Sequence, residues 1–365
     1  MRQFFKRLER SLKLLLLAAI RQVLGHAPSR PAELGAIRRI VLIRPDRIGD
    51  AILSTPVFEA LRKSMPDAAI DIVLGRRNRS VAPMLPFVEK VLTFSRNPWR
   101  FAELVWTLRR ARYDVAIDML LNDSFTSAVI TIASGARLKI GFQGSFSALY
   151  QSVVARPTRP EHHVPILLRL LAPLDIGAPA AAPLSLTVPA PAIKAALETL
   201  EGVVSPGGFV AINISGSSPA KFWGVQQYVH TIRALKAEGF STIVLGAPAD
   251  GALVEQIARE SGAHALPANP NLAEIAAVLS FSELVVTPDT SIVHIAAALG
   301  KPVIDLVPLP KIGAEFGPWG VPHRIVSGAG NMSDIRESDV LAAIRGLIGE
   351  KGRRAALETL AASRS

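Results

Sequence analysis

Short apolar runs alternate with helix-like segments along most of the chain. Runs of three to eight apolar residues bounded by Gly, Pro or polar residues indicate buried strands, and apolar residues repeated every three or four positions indicate helices. The predicted strands span residues 40–43, 70–74, 90–94, 113–120, 139–142, 209–215, 241–246, 264–266, 283–287 and 302–307. The predicted helices run from the first strand to about Ser64, and near residues 99–111, 124–133, 224–237, 250–261, 272–280 and 291–299. This alternation predicts doubly wound parallel sheets.

The pattern stops and restarts near the middle of the chain. Residues 172–192 are rich in Pro and Ala and indicate a domain boundary, and residues 25–38 are typical of a linker. We therefore expect a helix and linker over residues 1–35, one Rossmann-like domain over 36–185, a second over 190–345 and a helical tail over 346–365. If the two domains face a cleft, the turns that follow residues 40–43 and 283–287 can meet one ligand.

The N-terminal segment is amphipathic and basic. On a helix over residues 2–24, Phe4, Phe5, Leu8 and Leu12 share one face with further apolar residues, whereas most of the basic residues lie opposite. Residues 1–39 hold nine basic and two acidic residues, so this segment carries most of the net charge of +11. Such a helix is typical of a protein that lies on an anionic membrane surface. The alternative is a helix that packs on the protein with a solvated basic face.

Composition excludes several other classes. Two domains are expected from 365 residues. The mean hydropathy is +0.32, but no run of eighteen apolar residues predicts a transmembrane span. The chain has no Cys, which excludes disulfides and thiolate metal sites, and we find no secretory signal. Aromatic residues make up 6% and no nucleic-acid-binding motif is present, so we expect no nucleic-acid partner.

The turn after the first strand carries a candidate catalytic acid. Ligands of doubly wound sheets bind at the carboxyl ends of the strands, and Asp50 follows Gly49 in such a turn. Its carboxylate could accept a proton from a hydroxyl nucleophile. It could equally cap the helix that follows, since Asp suits that position. The sequence Ser54-Thr55-Pro56 indicates either a second helix start or a kink at Pro56.

Two turns in the second half suggest an anion site. The sequence GSSPAKFWG places Gly216, Ser217, Ser218 and Lys221 after a strand, which suits a phosphate. It matches neither the P-loop nor the GxGxxG spacing, so a polar loop with a solvated lysine is the alternative.

The second of these turns opens a helix with Asp289, Thr290 and Ser291, whose N-terminus favours an anion. His294 lies one turn further and could reach the same ligand, or it could be an ordinary core histidine. The pair His162-His163 stands beside a turn, and no His, Asp and Glu set has metal-ligand spacing. A catalytic Ser/His/Asp triad is also not indicated, because the nucleophile motif is missing.

Together these motifs resemble glycosyltransferase family 9, the ADP-heptose:lipopolysaccharide heptosyltransferase family. The resemblance begins with Arg44, Gly49-Asp50, Thr55-Pro56, Leu61-Arg62 and Pro66, and continues through YDVAIDML and KIGF. It extends through GSSPAKFWGVQQYV to Asp289-Thr290 and His294, and covers about residues 39–325. The N-terminal helix and the C-terminal tail lie outside it.

The resemblance implies a GT-B fold, with the acceptor in the N-terminal half and the nucleotide-sugar in the C-terminal half. It implies inversion at the anomeric carbon without an essential metal or other cofactor. Asp50 would be the general base, with Arg44, Gly49 and Thr55 on the acceptor side. Lys221 would stabilise the leaving diphosphate. The other expected donor-binding residues are Gly216, Ser217, Ser218, Asp250, Asp289, Thr290, Ser291 and His294.

Three departures from the family pattern fall in the donor half. Ser291 stands where the family usually has Gly, and Ala249 where it usually has an acid, although Asp250 is adjacent. The segment after residue 307 also differs from the usual loop, although Gly317-Pro318-Trp319-Gly320 resembles its later part. These changes leave the reaction class in place and leave the nucleotide base and the sugar open.

The sequence therefore predicts a glycosyltransferase, peripheral on the cytoplasmic face of the inner membrane. It would transfer heptose or a related sugar to an anionic envelope glycolipid such as lipopolysaccharide core. Basic residues in the acceptor half suit that acceptor, namely Arg76, Arg77, Arg79, Arg96, Arg100, Arg137 and Lys139. The alternatives are a transferase for another nucleotide-sugar, a sugar-nucleotide epimerase, and a catalytically silent scaffold that binds a nucleotide-sugar.

Overall fold

The computed structural model describes residues 36–203, 208–267 and 270–362. The chain divides into two compact units, Met1–Ala182 and Pro183–Ser365. The amphipathic helix expected at residues 2–24 lies outside the described residues. Within the described ranges, every helix is too short or too polar to cross a membrane.

The first unit contains a parallel sheet of six strands. They are β1 (Arg39–Arg44), β2 (Ala69–Gly75), β3 (Lys90–Phe94), β4 (Val115–Asp118), β5 (Leu138–Phe142) and β6 (Ser152–Val154). The α-helices are α1 (Ile48–Leu53), α2 (Thr55–Ser64), α3 (Pro98–Ala111), α4 (Phe125–Ala133) and α5 (His163–Leu168). Helices α3 and α4 bury Leu104, Leu108 and Ile130 against the sheet residues Val41 and Val73.

The second unit repeats this plan. Its strands are β7 (Phe209–Asn213), β8 (Ser241–Leu245), β9 (His264–Ala265), β10 (Leu284–Pro288), β11 (Val303–Val307) and β12 (His323–Ser327). Its helices are α6 (Ala190–Leu200), α7 (Val225–Ala237), α8 (Gly251–Ser261), α9 (Leu272–Phe281), α10 (Ser291–Ala298), α11 (Pro310–Phe316) and α12 (Glu337–Ala362). The indole of Trp223 packs edge-on against Tyr228 and donates to the Ile335 carbonyl at 3.0 Å, which ties the C-terminal segment to this core.

Strand order is the same in both sheets. The first sheet runs β3-β2-β1-β4-β5-β6 and the second runs β9-β8-β7-β10-β11-β12, and all neighbouring strands are parallel. In the first sheet the chain adds strands outward from β1 to β3, then returns to the centre and adds β4 on the other side of β1. In the second sheet it does the same, from β7 to β9 and then to β10 on the other side of β7. The strand order therefore reverses between β1 and β4 and between β7 and β10. This is the Rossmann-like order, and ligands bind where the order reverses. The prediction of two doubly wound parallel sheets is confirmed.

Some elements could not be seen in the apolar pattern. The edge strands β6 and β12 have half-buried or exposed residues and so lack a continuous apolar run. Helix α6 begins within the segment taken as a boundary, with Pro191 in its first turn. Helix α12 runs through residue 346, so the expected tail continues an existing helix.

The expected helix after β1 is two helices separated by Ser54. The Ser54 hydroxyl donates to the Asp50 carbonyl at 2.7 Å, and the Thr55 hydroxyl donates to the Ile52 carbonyl at 2.8 Å. Pro56 lies in the first turn of α2, where its missing N–H costs nothing.

A buried carboxyl lies at the end of β4. The Tyr150 hydroxyl donates to Asp118 Oδ2 at 2.6 Å and the Leu120 N–H donates to Oδ1 at 3.1 Å. The Tyr150 ring lies against Gly141, where a Cβ atom would come within 2.5 Å of a ring carbon. Burial raises the pKa of Asp118 to about 6, although these hydrogen bonds oppose the shift.

We expect Asp118→Asn to alter the pH dependence of stability. The folded protein holds the Asp118 proton more tightly than the unfolded chain. Protonated Asp118 therefore contributes to the free energy of unfolding below pH 3.8, and this contribution is lost as the pH rises through about 6. Across that window the free energy of unfolding of the wild type should fall by on the order of 3 kcal/mol relative to the variant. Urea unfolding at several pH values measures the difference, with the exposed Asp67→Asn as control. Parallel curves for wild type and Asp118→Asn would contradict this assignment.

Gly75 allows a close approach between β2 and the segment that follows β1. A Cβ atom at Gly75 would lie 2.3 Å from the Pro45 carbonyl oxygen. The Gly75 N–H donates to Asn78 Oδ1 at 2.8 Å, and Asn78 Nδ2 donates to the Arg44 carbonyl at 2.8 Å. A side chain here would therefore displace the end of β1.

We expect Gly75→Ala to destabilise the first unit by about 1–3 kcal/mol, the usual cost of overpacking. Gly346→Ala is the matched control, because a Cβ atom at Gly346 meets nothing within 4 Å and the residue lies in helix α12. That change should be neutral or stabilising by up to about 1 kcal/mol. Urea unfolding midpoints report both changes, and equal midpoints for the two variants would refute the predicted clash.

Candidate active site

Asp50 is held by a buried arginine at the point where strand order reverses in the first sheet. Arg44 is the last residue of β1 and is 2% exposed. Its guanidinium lies 3.3 Å from Asp50 Oδ1 and donates to the Asp50 carbonyl at 3.1 Å, and it also donates to the carbonyl of Met119, which follows β4. The ion pair fixes the Asp50 side chain, which remains 18% exposed.

Asp46 is a second acid in the same cluster. Arg44 Nε lies 3.5 Å from Asp46 Oδ1. Burial is the main reason why the pKa of Asp46 is raised; the Arg44 charge lowers it and the Asp50 charge raises it. One guanidinium therefore lies within ion-pair distance of two carboxyl groups.

The helix-capping alternative for Asp50 is wrong. Helix α1 begins at Ile48 with Arg47 in the N-cap position, and no side chain caps it. Asp50 lies within the first turn and its carboxylate faces Arg44. The Asp50 side chain thus does not cap the start of the helix.

Gly49 and Thr55 are both buried, Thr55 fully so. The Thr55 hydroxyl is bonded to the backbone of α1. Their burial favours a role in packing the turn over direct contact with an acceptor.

Lys221 is brought to the second reversal of strand order, between β7 and β10. The chain leaves β7, passes Gly216 and enters a short 3₁₀ turn over Pro219–Lys221. A Cβ atom at Gly216 would lie 2.5 Å from the Lys221 Cβ, so the loop folds back closely on itself. Ser217 and Ser218 are exposed on this loop, as a phosphate-binding role requires.

Lys221 and Asp289 form an ion pair. The Lys221 Nζ donates to Asp289 Oδ2 at 2.5 Å and to the Asp289 carbonyl at 2.8 Å. The side chains are 23% and 14% exposed. Thr290 then caps α10, its hydroxyl accepting from the Ile292 N–H at 3.3 Å, and Ser291 is the first helical residue. The structure thus joins two motifs that are 68 residues apart.

Asp305 is a third ionisable group at this point, and sequence reasoning missed it. It lies on β11 opposite Thr287 of β10 and is completely buried. Neither carboxyl oxygen has a hydrogen-bond partner among the described residues. Burial raises the pKa of Asp305 well above its usual range; Asp289 adds to the shift and Lys221 opposes it.

Asn213 and Thr287 connect the two strands at this reversal. Asn213 Nδ2 donates to the Thr287 hydroxyl at 2.9 Å and to the Ser215 carbonyl at 3.1 Å. In the sequence, the only indication that Asn213 and Thr287 belong to a site was that each is a polar residue near the end of an otherwise apolar strand. The sequence gave no such indication for Asn78, although its side-chain amide donates to the Arg44 carbonyl at the end of β1 in the first unit.

The remaining donor-side residues are placed as follows. Asp250 accepts a short hydrogen bond from the Ser215 hydroxyl, which in turn accepts from the Ala247 N–H at 2.6 Å. Ala249 is exposed beside it. His294 is 5% exposed within α10. His162, of the histidine pair noted in the sequence, caps α5 by accepting from the Val164 N–H.

The expected basic surface of the first unit is smaller than the sequence suggested. Lys139 is 1% exposed on β5 and donates to the Ala136 carbonyl at 2.5 Å. Arg137 lies 3.8 Å from Asp114. Lys139 is therefore excluded from contact with an acceptor, since all five residues of β5 are buried, as is typical of a parallel strand covered on both faces. The exposed basic residues that remain are Arg76, Arg77, Arg79, Arg96, Arg100 and Arg137.

Metal ligands do not cluster in the described residues. Within residues 36–203, 208–267 and 270–349, no group of three or more His, Asp or Glu side chains is arranged to hold a metal ion. The positive charges near the two candidate sites come from Arg44 and Lys221.

Known proteins share this fold and sequence pattern. Lipopolysaccharide heptosyltransferase 3 of Escherichia coli is 26% identical over 274 residues, which cover 71% of this chain and 80% of that protein. A glycosyl transferase family 9 structure from Veillonella parvula has a TM-score of 0.77 at 18% identity, covering 86% of this chain and 97% of that one. The structure of E. coli ADP-heptose lps heptosyltransferase II has a TM-score of 0.71 at 20% identity, covering 86% and 99%. The GT-B fold expected from the sequence is thereby confirmed.

The match to a family model is more extensive than any of the motifs alone. It covers residues 101–342, more than half of the chain, and so includes the Lys221 loop and the Asp289 turn. The resemblance drawn from the sequence is therefore confirmed: the chain is a glycosyltransferase and belongs to glycosyltransferase family 9 (heptosyltransferase).

Proposed function

We propose that this glycosyltransferase moves heptose from an ADP-activated donor to an anionic cell-envelope glycolipid of the lipopolysaccharide core type, with inversion and without an essential metal. The observation that carries the proposal is the Lys221–Asp289 pair at the strand-order reversal of the second unit. It sets a partly exposed cation where Rossmann-like sheets bind phosphate groups. The names of the curated relatives supply heptose and lipopolysaccharide as the substrates to test.

In this proposal Asp50 is the general base. Its carboxylate takes the proton of the acceptor hydroxyl as the oxygen attacks the anomeric carbon of the donor sugar. Arg44 acts through Asp50: its buried guanidinium orients the carboxylate and leaves part of it accessible. A carboxylate held in one orientation needs little reorganisation when it accepts the proton.

The leaving group is a nucleoside diphosphate, and Lys221 stabilises it. As the bond between the anomeric carbon and the diphosphate oxygen breaks, negative charge grows on the phosphate. In the structure the Lys221 ammonium is paired with Asp289, so the diphosphate must share or take over that contact. The exposed hydroxyls of Ser217 and Ser218 and the N-terminus of α10 can donate to the remaining phosphate oxygens. With these donors the step needs no metal.

The donor half leaves the choice of nucleotide base to experiment. Ala249 stands where the family usually has an acid, and the neighbouring Asp250 is already bonded to Ser215. We assign Asp250 the ribose contact in this proposal, which requires its carboxylate to accept from a ribose hydroxyl as well. His294 and Ser291, both on helix α10, belong to the donor site in this proposal. The proposal places the enzyme at the cytoplasmic face of the inner membrane, where residues 2–24 would contact lipid.

We expect Asp50→Asn to lower kcat by about 10²–10⁴-fold, the usual contribution of a general base. Donor affinity should stay within about twofold, since Asn keeps the size of the side chain and Asp50 does not contact the donor in this proposal. Steady-state transfer assays and donor titration measure the two effects, with Asp67→Asn as the exposed control. A fully active Asp50→Asn enzyme would remove Asp50 from the base role.

We expect Lys221→Ala to weaken binding of ADP and of its sugar conjugates by about 10–100-fold, because a hydrogen bond to a charged group is worth about 1.5–3 kcal/mol. Thermal-shift titration with ADP, UDP, GDP and dTDP measures both the affinity and the choice of base, since a ligand of the folded state raises the melting temperature. Lys194→Ala is the control, because Lys194 is 81% exposed in the same unit.

The outcomes of that titration separate the parts of the proposal. A selective shift with ADP that Lys221→Ala abolishes supports the donor and the lysine together. A selective shift with UDP, GDP or dTDP would replace the ADP donor and keep the role of Lys221. Equal affinity of Lys221→Ala and wild type for the preferred nucleotide would refute the diphosphate contact.

A further inference from the structure

The outer face of helix α3 carries two exposed tryptophans. Trp99 is 85% exposed and Trp106 is 61% exposed, the highest values among the large hydrophobic side chains in the described part of the chain. They are seven positions apart, so two helical turns place them on one side. Two solvated indoles on one face are unusual for a surface without a partner, because each exposes a large apolar area.

The helix holds this face in a fixed orientation. On its inner side Leu104 and Leu108 are buried in the core of the first sheet, and Phe101 packs edge-on against Phe94 at 6.0 Å between ring centroids. The Asn97 side chain caps the start of α3 by accepting from the Trp99 and Arg100 N–H groups at 3.1 and 3.2 Å. The tryptophans are therefore displayed by a rigid element.

Positive charge surrounds the two indoles. Residues 96–112 contain five arginines and one acidic residue, Glu103. Arg96, Arg100 and Arg110 are exposed, and the Arg110 guanidinium lies 5.2 Å from the Trp106 ring centroid. A face with this charge balance is complementary to an anionic surface.

An open cavity of about 520 Å³ adjoins the same helix. Its charged and polar lining residues are Arg76, Arg79, Thr93, Ser95, Arg100, Glu103 and Thr107. Three of these, Arg100, Glu103 and Thr107, come from α3, and two of them directly follow Trp99 and Trp106 in sequence. Three arginines against one carboxylate suit an anionic group of phosphate size.

We propose that the outer face of α3, with Trp99 and Trp106, together with the arginine-lined cavity beside it, docks on an anionic phospholipid membrane. The indoles lie at the level of the lipid head groups, and Arg76, Arg79 and Arg100 receive a head-group phosphate in the cavity. This surface belongs to the first unit and is separate from residues 2–24. Membrane contact through this surface does not depend on which nucleotide-sugar is the donor.

A lipid surface fits this face better than a protein or a nucleic acid does. Trp is enriched at membrane interfaces, because its ring is apolar and its N–H remains among polar groups. Both indoles are exposed on the outer face of a helix, so they can insert among lipid head groups. Arginine side chains beside them reach the phosphates of anionic lipids.

Tryptophan fluorescence of the full-length protein tests the proposal directly. The chain has four tryptophans, Trp99, Trp106, Trp223 and Trp319, and residues 1–35 contain none, so no quenched tryptophan can belong to that segment. Trp223 is buried in the second unit. Vesicles of equimolar brominated phosphatidylcholine and phosphatidylglycerol should quench the emission, and vesicles of brominated phosphatidylcholine alone should quench it much less. The quenching should also fall as salt is raised.

Matched variants assign the signal to the face. In Trp99→Phe/Trp106→Phe the quenching by anionic vesicles should be lost. In Trp99→Ser/Trp106→Ser the vesicle partition coefficient, from co-sedimentation, should fall by about tenfold or more, since binding scales with the apolar area inserted. Leu197→Ser/Phe281→Ser removes two other exposed apolar residues, from α6 and α9, and should partition as the wild type does. Melting temperature and nucleotide binding confirm that each variant is folded.

The arginine cavity is tested by Arg76→Gln/Arg79→Gln/Arg100→Gln. This variant should lose most of the preference for phosphatidylglycerol over phosphatidylcholine. Inorganic phosphate at millimolar concentration should not displace the wild type from vesicles if the cavity reads lipid head groups, and displacement would identify a free-phosphate site and overturn the docking role of the cavity.

Sedimentation with vesicles without tryptophan quenching would place the membrane contact elsewhere and overturn the proposal. Equal quenching by neutral and anionic vesicles would overturn its electrostatic part. The absence of any vesicle binding would favour a protein partner for this face. None of these results would affect the nucleotide titration, so failure here is distinguishable from failure of the proposed reaction.

Discussion

The reversal of strand order in each sheet is the constraint on which the rest of the structure depends. Parallel strands all present their carboxyl ends at one edge, and the connections diverge where the order reverses. In the first sheet this happens between β1 and β4, beside Arg44 and Asp50. In the second it happens between β7 and β10, beside Lys221 and Asp289. Both candidate sites occupy the one position in their sheet where backbone connections leave room for a ligand.

Each candidate site is built around a cation that lies beside carboxyl groups. Arg44 serves Asp46 and Asp50, and Lys221 lies among Asp289 and the buried Asp305. Removing charges from water is costly unless they are paired, so each group fixes its neighbour in position. Such pairing favours a carboxylate or ammonium that is already oriented before substrate binds, and preorganised charge is what stabilises a transition state most effectively.

The first unit combines this buried site with a strongly basic exterior. Lys139 is buried and unavailable to a partner, whereas Arg76, Arg79 and Arg100 line an open cavity. Helix α3 links the two aspects, because its inner face completes the core of the sheet and its outer face displays Trp99 and Trp106. In the proposed reaction the acceptor is embedded in a membrane, so the enzyme would need both a catalytic carboxylate and a surface that meets lipid, and we propose Asp50 and the outer face of α3 for these two roles.

The sequence by itself determined the fold class, the strands of the two sheet centres and the residues most worth testing. It could do so because buried parallel strands are continuous apolar runs, and because Asp50, Lys221 and Asp289 follow such runs directly. The tertiary structure alone decided what each residue contacts. It showed that Asp50 faces Arg44 instead of capping α1, that Lys139 is buried, and that Asp305 lies behind Lys221. These facts depend on contacts between residues far apart in the chain, such as the 68 positions between Lys221 and Asp289, and local periodicity carries no information about such pairings.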